Sequence, residues 1–259
     1  MFNVKNMPKI LITLGLCLII LTYSLPAIAA TKIPEKLQEQ VLQIIKDNPQ
    51  AIIDSVQAYQ QKKQAEIESA KQKSQQAFSQ QLKTAPETIL LDSPVQGGAD
   101  AKIVLIEFSD FQCPYCGEMT KTIKQFTAKH PGEIKLVYKH FPLLAIHPQA
   151  LPAARAAWAA NKQGKFWEYH DQLFSQQKDL GEDLYVKIAK KLNLDLVKFN
   201  SDRQSPESES AIEKDFNLGR SIGISGTPFF VMNDQVFSGA LPLSEVEDIF
   251  AKVKANSNS

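Results

Sequence analysis

The stretch Lys102-Ile-Val-Leu-Ile-Glu-Phe-Ser-Asp-Phe-Gln-Cys-Pro-Tyr-Cys116 decides the fold of this chain. Its first half, Lys102 to Phe108, is rich in Ile and Val and reads as a strand. Its second half opens a helix running from Cys113 to about Lys129, and a strand from Glu133 to Phe141 follows. Strand, helix and strand in that order imply a parallel pair joined by a right-handed crossover. Upstream, Thr88 to Leu91 reads as a further short strand. Downstream, helical signals dominate from His147 to about Ile222: Ala150 to Ala160, Phe166 to Phe174, Asp183 to Leu192 and Glu207 to Ser221, punctuated by Gly181 and Asn193. Phe229 to Met232 and Gln235 to Ser238 form a hairpin across Asn233 and Asp234, and Leu243 to Val253 closes the chain as an amphipathic helix. There is no internal repeat. The expected fold is α/β, a small sheet domain over 86–259 with a helical insertion at about 147–222.

The chemistry of the deciding stretch lies in Cys113 and Cys116, which enclose Pro114 and Tyr115. Two thiols separated by two residues at the start of a helix close a small disulfide and reopen it, which suits electron exchange. With Cys113 at the helix N-terminus, unpaired N–H groups and the helix dipole favour its thiolate and lower its pKa below the ~8.5 of a free thiol. Cys113 is then the attacking sulfur. Cys116, about one turn further in, resolves the mixed disulfide that Cys113 forms. A lower pKa at Cys113 also stabilises the reduced state, so the pair is expected to be oxidising. Pro114 fixes φ in the first turn, and Tyr115 adds bulk and a neutral phenol. Two other readings compete. A zinc site needs two more ligands, and His130, His140, His147 and His170 show no paired ligand spacing. An inert surface disulfide gains little stability from so short a loop.

Ahead of the domain, Lys5 and Lys9 precede an apolar run from Ile10 to Leu21 and then Pro26, Ala27, Ile28 and Ala29. This reads as a signal peptide over 1–29, cleaved after Ala29; the alternative is an uncleaved anchor, although the run is short of the ~20 residues a spanning helix needs. Cys17, the third cysteine, lies inside the apolar run and leaves with the leader. Export places the remaining cysteines where disulfides persist, and a bacterial periplasm is the expected compartment. The mature domain is long enough to bury a core without a structural disulfide. The balance of 29 basic and 28 acidic side chains offers no electrostatic footprint for nucleic acid.

Residues 31–84 are rich in glutamine and lack glycine and cysteine, and they read as helical. Leu37, Val41, Ile44 and Ile45 recur at helical spacing, and Asn48 before Pro49 reads as an N-cap with proline at the first helical position. The following stripe of Ile52, Val56, Tyr59, Ile67, Ala70, Ala77, Phe78 and Leu82 is interrupted at Lys63 and Ser74. Such a helix cannot bury its face alone. It packs on the following domain or on a second copy of the chain, and a homo-oligomer, with a dimer favoured, is the expectation. Gln60 to Lys73 reads as an exposed connecting helix, with a disordered spacer as the alternative.

The run from Glu107 to Cys116, the helical insertion, and Gly226-Thr227-Pro228-Phe229 together resemble the thioredoxin-fold disulfide oxidoreductases of the DsbA-like group, over roughly Thr88 to Lys254. The Gln-rich N-terminal segment resembles the helical extensions of members that oligomerise. The resemblance implies that Pro228 is a cis proline facing the active-site sulfurs and that the backbone of Thr227 pairs with an extended substrate. An ordinary turn is the alternative for Thr227-Pro228. Glu107 corresponds to the buried acid of this group; desolvated, it would have a raised pKa and exchange a proton with Cys116. A solvated strand-end glutamate is the alternative. Asp110 and Phe111 read as loop and packing residues. Tyr115 stands where the strongest oxidants of the group carry histidine, and Cys-Pro-Tyr-Cys with Thr227 before the proline is more like the isomerase branch.

The leading functional expectation is thus a thiol-disulfide oxidoreductase that forms, and in one reading isomerises, disulfides in exported proteins. It needs neither metal nor cofactor, and its partners are unfolded or misoxidised exported proteins and a membrane redox protein. From another class comes a holdase chaperone or binding protein in which the cysteines are secondary. A glutaredoxin-like enzyme shares the motif, but the leader, length and insertion argue against a cytosolic glutathione enzyme.

Overall fold

The computed structural model describes residues 33–98 and 100–257, so the leader at 1–29 and Cys17 lie outside the described residues. The chain divides into two compact units between Gln61 and Lys62, within the segment 31–84 expected as one N-terminal piece.

The first unit holds α1 (Glu35–Asp47) and the start of α2 (Pro49–Thr84), whose residues from Lys62 on belong to the second unit. Pro49 opens α2 as the sequence suggests, but the Asn48 side chain turns the other way. Its amide donates to Ile44 O at 2.9 Å and so caps the C-terminus of α1. Ala51 N bonds instead to the backbone carbonyl of Asn48. Leu37, Val41, Leu42, Ile44 and Ile45 are all exposed, as are Ile52, Val56 and Tyr59.

The second unit is built on a five-stranded sheet ordered β1-β3-β2-β4-β5, with β1 (Val95–Gly97), β2 (Ile103–Ser109), β3 (Ile134–His140), β4 (Phe229–Met232) and β5 (Gln235–Ser238). β2 and β3 run parallel, and α4 (Pro114–Lys129) is the crossover between them. The other pairings are antiparallel. β2 is central and buried almost throughout, which is why its sequence is an apolar run with Glu107 and the terminal Ser109 as the exceptions. In the β4–β5 turn, Asn233 takes φ +50°, a conformation asparagine tolerates, and its side chain accepts from Val104 N at 2.9 Å.

One face of the sheet packs on α4 and α10 (Leu243–Ser257), through Met119, Ile123 and Phe126 against Val246, Phe250 and Val253. The other face is covered by Phe78 and Leu82 of α2, together with Ile222 and Ile224. Gln60 to Lys73 is helical, not a disordered spacer.

The expected strand at Thr88–Leu91 is instead a single helical turn, α3 (Glu87–Leu90). Pro86 sits in the helical region, its carbonyl accepts from Ile89 N and Leu90 N, and Ile89 is buried. A four-residue apolar run carries too little periodicity to separate strand from helix, and the proline decides it. The edge strand lies further on, at β1.

Between β3 and β4, five helices form the insertion: α5 (Ala150–Asn161), α6 (Phe166–Ser175), α7 (Glu182–Lys191), α8 (Leu196–Arg203) and α9 (Pro206–Ser221). The sequence pattern does not separate out α8. Its signal is the cap: the Asp195 carboxylate accepts from Lys198 N at 3.0 Å. Alanines of α5 pack closely with Tyr169, Leu173, Tyr185, Ile188 and Phe199, and Phe111 and Tyr138 of the sheet domain enter the same cluster.

Candidate active site

Cys113 is the N-cap of α4, with extended dihedrals of φ −70° and ψ 121°, and Pro114 takes the first helical position. Its carbonyl accepts from Cys116 N at 3.1 Å and Gly117 N at 3.2 Å, closing the first turn. Both sulfurs are free thiols. Cys116 is fully buried, Cys113 is 4 % exposed, and Tyr115 projects outward at 61 %.

Across from them lies the segment preceding β4. The Thr227-Pro228 peptide is cis, and the Cys113 thiol donates to Thr227 O at 3.4 Å. Residues 114 positions apart in sequence are therefore in contact through sulfur and backbone. Pro228 O accepts from Gly239 N at 2.9 Å, tying the segment to the end of β5.

Glu107 sits within β2, opposite Tyr138 of β3 and Phe230 of β4, and is 2 % exposed. It is not a solvated strand-end residue. Burial pushes its carboxyl from 4.5 to about 7, against a smaller lowering from Ser109. A cavity of about 320 Å³ reaches it, with Thr120 and Trp167 in its lining and Lys124 and Asp171 among its more exposed wall.

The two sulfurs are driven in opposite directions. The neighbouring Cys116 thiol is the largest influence on Cys113; with Thr227 and the amides of Cys116 and Tyr115, it outweighs burial and brings Cys113 from 9.0 down to about 6. Cys116 is pushed well up, first by burial and then by the Cys113 thiolate beside it. One sulfur is thus poised as thiolate near neutral pH while the other holds its proton.

Asp110 is a loop residue, but a buried one with a specific task. Its carboxylate accepts from Gln112 N at 2.7 Å, Leu143 N at 2.9 Å and the His147 ring at 2.7 Å. Phe111 stacks on Tyr138 with ring centroids 5.3 Å apart. The sequence reading did not single out Gln112, Tyr138 or Gln177. Gln112 accepts from Gln149 N at 2.6 Å, and Gln177 donates to the backbone on both sides of Gln112. No local signal marks these contacts, because their partners lie 37 or more positions away. The four histidines do not converge on the cysteines. Among the described residues, no group of three or more His, Cys, Asp or Glu side chains is placed to hold a metal ion.

Residues 104–251, more than half the chain, match the DSBA-like thioredoxin domain. The chain belongs to the DSBA-like thioredoxin domain family. Within that domain, the match runs from β2 to α10 and includes both cysteines, the insertion and Pro228. Among solved structures, a thioredoxin-like oxidoreductase from Silicibacter pomeroyi DSS-3 is 28 % identical, with a TM-score of 0.59 over 64 % of this chain and 94 % of that one. ScsC from Proteus mirabilis, in a transitional conformation, shares the fold at 23 % identity, with a TM-score of 0.60 over 86 % of this chain and 97 % of that one. Among curated relatives, Na(+)/H(+) antiporter NhaA 3 of Salinispora tropica is 34 % identical over 145 residues, 56 % of this chain but 22 % of the antiporter. The chain therefore spans about a fifth of the length of such relatives, and no described helix is long and apolar enough to cross a membrane.

Proposed function

We propose that this chain is an exported thiol-disulfide oxidoreductase of protein thiols, with Cys113 as attacking sulfur and Cys116 as resolving sulfur. The observation that carries this reading is the opposite displacement of the two thiols at one helix tip, with Cys113 against the backbone of Thr227.

In the oxidising direction the enzyme begins with a Cys113–Cys116 disulfide. A client thiolate attacks Cys113 Sγ; the client–Cys113 bond forms as the Cys113–Cys116 bond breaks, and Cys116 leaves with the electron pair. Its high proton affinity draws a proton from Glu107, whose raised pKa makes it a competent acid near neutrality. A second client thiolate then attacks the client sulfur of the mixed disulfide. The client disulfide forms and Cys113 leaves as a thiolate, a good leaving group because of its lowered pKa. Two client thiols are oxidised, the enzyme is reduced by two electrons, and a membrane redox protein of the envelope restores the disulfide. In isomerisation the reduced Cys113 thiolate attacks a wrong client disulfide, and no net electrons flow. The main chain of Thr227 beside Cys113 suits an extended client strand, Pro114 and Tyr115 form the outer rim of that site, and Pro228 offers no competing N–H.

The exposed apolar residues of α1, from Leu37 to Ile45, support homo-oligomerisation through the N-terminal segment. Linked active sites would raise the effective concentration of thiols around a bound client, which favours isomerase duty. The same exposed face is what favours the holdase reading.

Oxidation of a reduced, unfolded multi-cysteine protein tests the assignment. Cys113→Ser is expected to abolish turnover, and Cys116→Ser, given a client that already carries a disulfide, to accumulate a covalent client–Cys113 adduct, because its Cys113 thiolate attacks the client disulfide, one client sulfur leaves as thiolate, and no second enzyme thiol resolves the bond. Oxidation at the wild-type rate by the Cys113→Ser chain would remove the oxidoreductase assignment. Undiminished protection of aggregating clients by that inactive variant would favour the holdase.

A further inference from the structure

One side chain of the insertion touches the backbone of the attacking cysteine. Gln177 opens the short 3-10 turn Gln177–Asp179 that follows α6. Its carboxamide nitrogen donates to Phe111 O and to Cys113 O, each at 2.8 Å. A primary amide has two N–H groups, and here each takes a separate carbonyl. The two carbonyls flank Gln112, so a single group holds both ends of the turn that delivers the chain into α4. Cys113 O is the same atom that receives the N–H groups of Cys116 and Gly117.

The fit is steric as well as polar. Gly117 follows Cys116 inside the first turns of α4, where glycine costs about 1 kcal/mol relative to alanine. The Gln177 carboxamide occupies the space that a side chain would need. A Cβ at Gly117 would lie 2.7 Å from Gln177 Oε1 and 3.3 Å from its Cδ. A side chain at position 117 would force the Gln177 carboxamide to shift from its seat.

We infer that Gln177 is a positioning residue for the attacking sulfur: its carboxamide, seated on Gly117, clamps the Phe111 and Cys113 carbonyls and fixes the first turn of α4 so that its N–H groups face Cys113 Sγ. The inference rests on the proposed role of Cys113. The amides of Tyr115 and Cys116 help to stabilise the thiolate, and their direction depends on the turn that Gln177 holds. The clamp also joins the insertion to the redox centre.

The test is titration of the Cys113 thiolate by its ultraviolet absorbance, on the full reduced chain, with circular dichroism to establish folding. Gln177→Ala removes both donors and is expected to raise the midpoint by about half a unit. Gln177→Glu places a negative charge on the same turn and is expected to raise it by about one unit or more. Gly117→Ala shifts the carboxamide and should raise the midpoint in the same direction, by no more than Gln177→Ala does. Adding Gly117→Ala to Gln177→Ala should change little further, because the two act through one contact. Gln176→Ala, next door but bonded within its own helix through Gln172, serves as the control and leaves the midpoint unchanged. Wild-type midpoints in both Gln177→Ala and Gly117→Ala, with wild-type Cys113 itself well below a free thiol, would overturn the inference and leave the oxidoreductase reading standing. A wild-type chain that titrates like free cysteine removes that reading and the inference with it. If Gln177→Glu does not fold, the alanine variants carry the decision.

Discussion

Replacing Glu107 by glutamine separates burial of a carboxyl from every other effect at this site. The rise of its pKa from 4.5 to about 7 means that between those values the folded chain holds a proton that the unfolded chain has released. Stability conferred by the neutral acid is complete below about pH 4.5 and is lost as pH rises through about 7. At about 1.4 kcal/mol for each pH unit of difference, the loss amounts to about 3 kcal/mol. Glutamine has the same shape and never ionises, so Glu107→Gln escapes the loss. The variant is expected to match the parent near pH 4.5 and to exceed it by about 3 kcal/mol above pH 7. Denaturant unfolding followed by fluorescence of Trp158 and Trp167 measures this; Trp167 lines the cavity that reaches Glu107. Using the Cys113→Ser chain as parent removes the sulfur that titrates in the same window. A stability difference that stays flat across the window would show that the carboxyl is solvated or neutralised in place, and Glu107 would lose its part as proton donor to Cys116.

Two further outcomes follow from the same groups and from the division of the chain. Cys113 is displaced downward, from 9.0 to about 6, so the reduced protein gains stability relative to Cys113→Ser as pH rises through that interval and loses it as pH falls through about 6; unfolding the two chains side by side under reducing conditions reads the sign directly. A chain starting at Lys62 keeps Phe78 and Leu82 in the core and is expected to be folded and monomeric by light scattering, whereas a chain starting at Thr31, which keeps α1, is expected to associate; monomers in both cases would remove the role proposed for α1.

Much of the domain was legible because its signals are local. The apolar run of β2 and the Cys-Pro opening of α4 identify their elements within a few residues, as does the Asn233-Asp234 turn. Where local signals conflict, the reading fails for a definable reason. Thr88 to Leu91 has strand composition, yet Pro86 starts a helical turn and buried Ile89 holds it. Asn48 is a good N-cap residue, yet its side chain finds the Ile44 carbonyl behind it. In the site, Cys113 and Cys116 are marked by spacing alone. Glu107 and the Thr227-Pro228 pair are picked out by the family resemblance and not by any local pattern, and they share a site because the sheet brings β4 beside β2. Gln177 and Gln112 carry no signal at all, since an isolated glutamine is consistent with any exposed helix and its partners are backbone atoms of a distant loop.

That last class of contact bears on how one turn of helix keeps two thiols so different. A helix N-terminus favours negative charge within its first turn, and Cys113 and Cys116 both belong to it. The dipole by itself would treat them alike. The difference arises because Cys116 is buried close to Ser109, keeps its proton and shares it with Cys113, while Cys113 stands at the cap, where the Cys116 thiol first, then Thr227 and the amides of Cys116 and Tyr115, favour its thiolate. Any rotation of the first turn would exchange some of one environment for the other. The turn is therefore held from three sides: Asp110 by Leu143 and His147, Gln112 by Gln149, and the Cys113 carbonyl by Gln177. All three restraints come from the insertion or the segment leading into it. The insertion therefore belongs to the proposed site: the sheet, α4 and Thr227 hold the sulfurs in place, and the insertion adds the side-chain contacts that fix the turn on which their asymmetry depends.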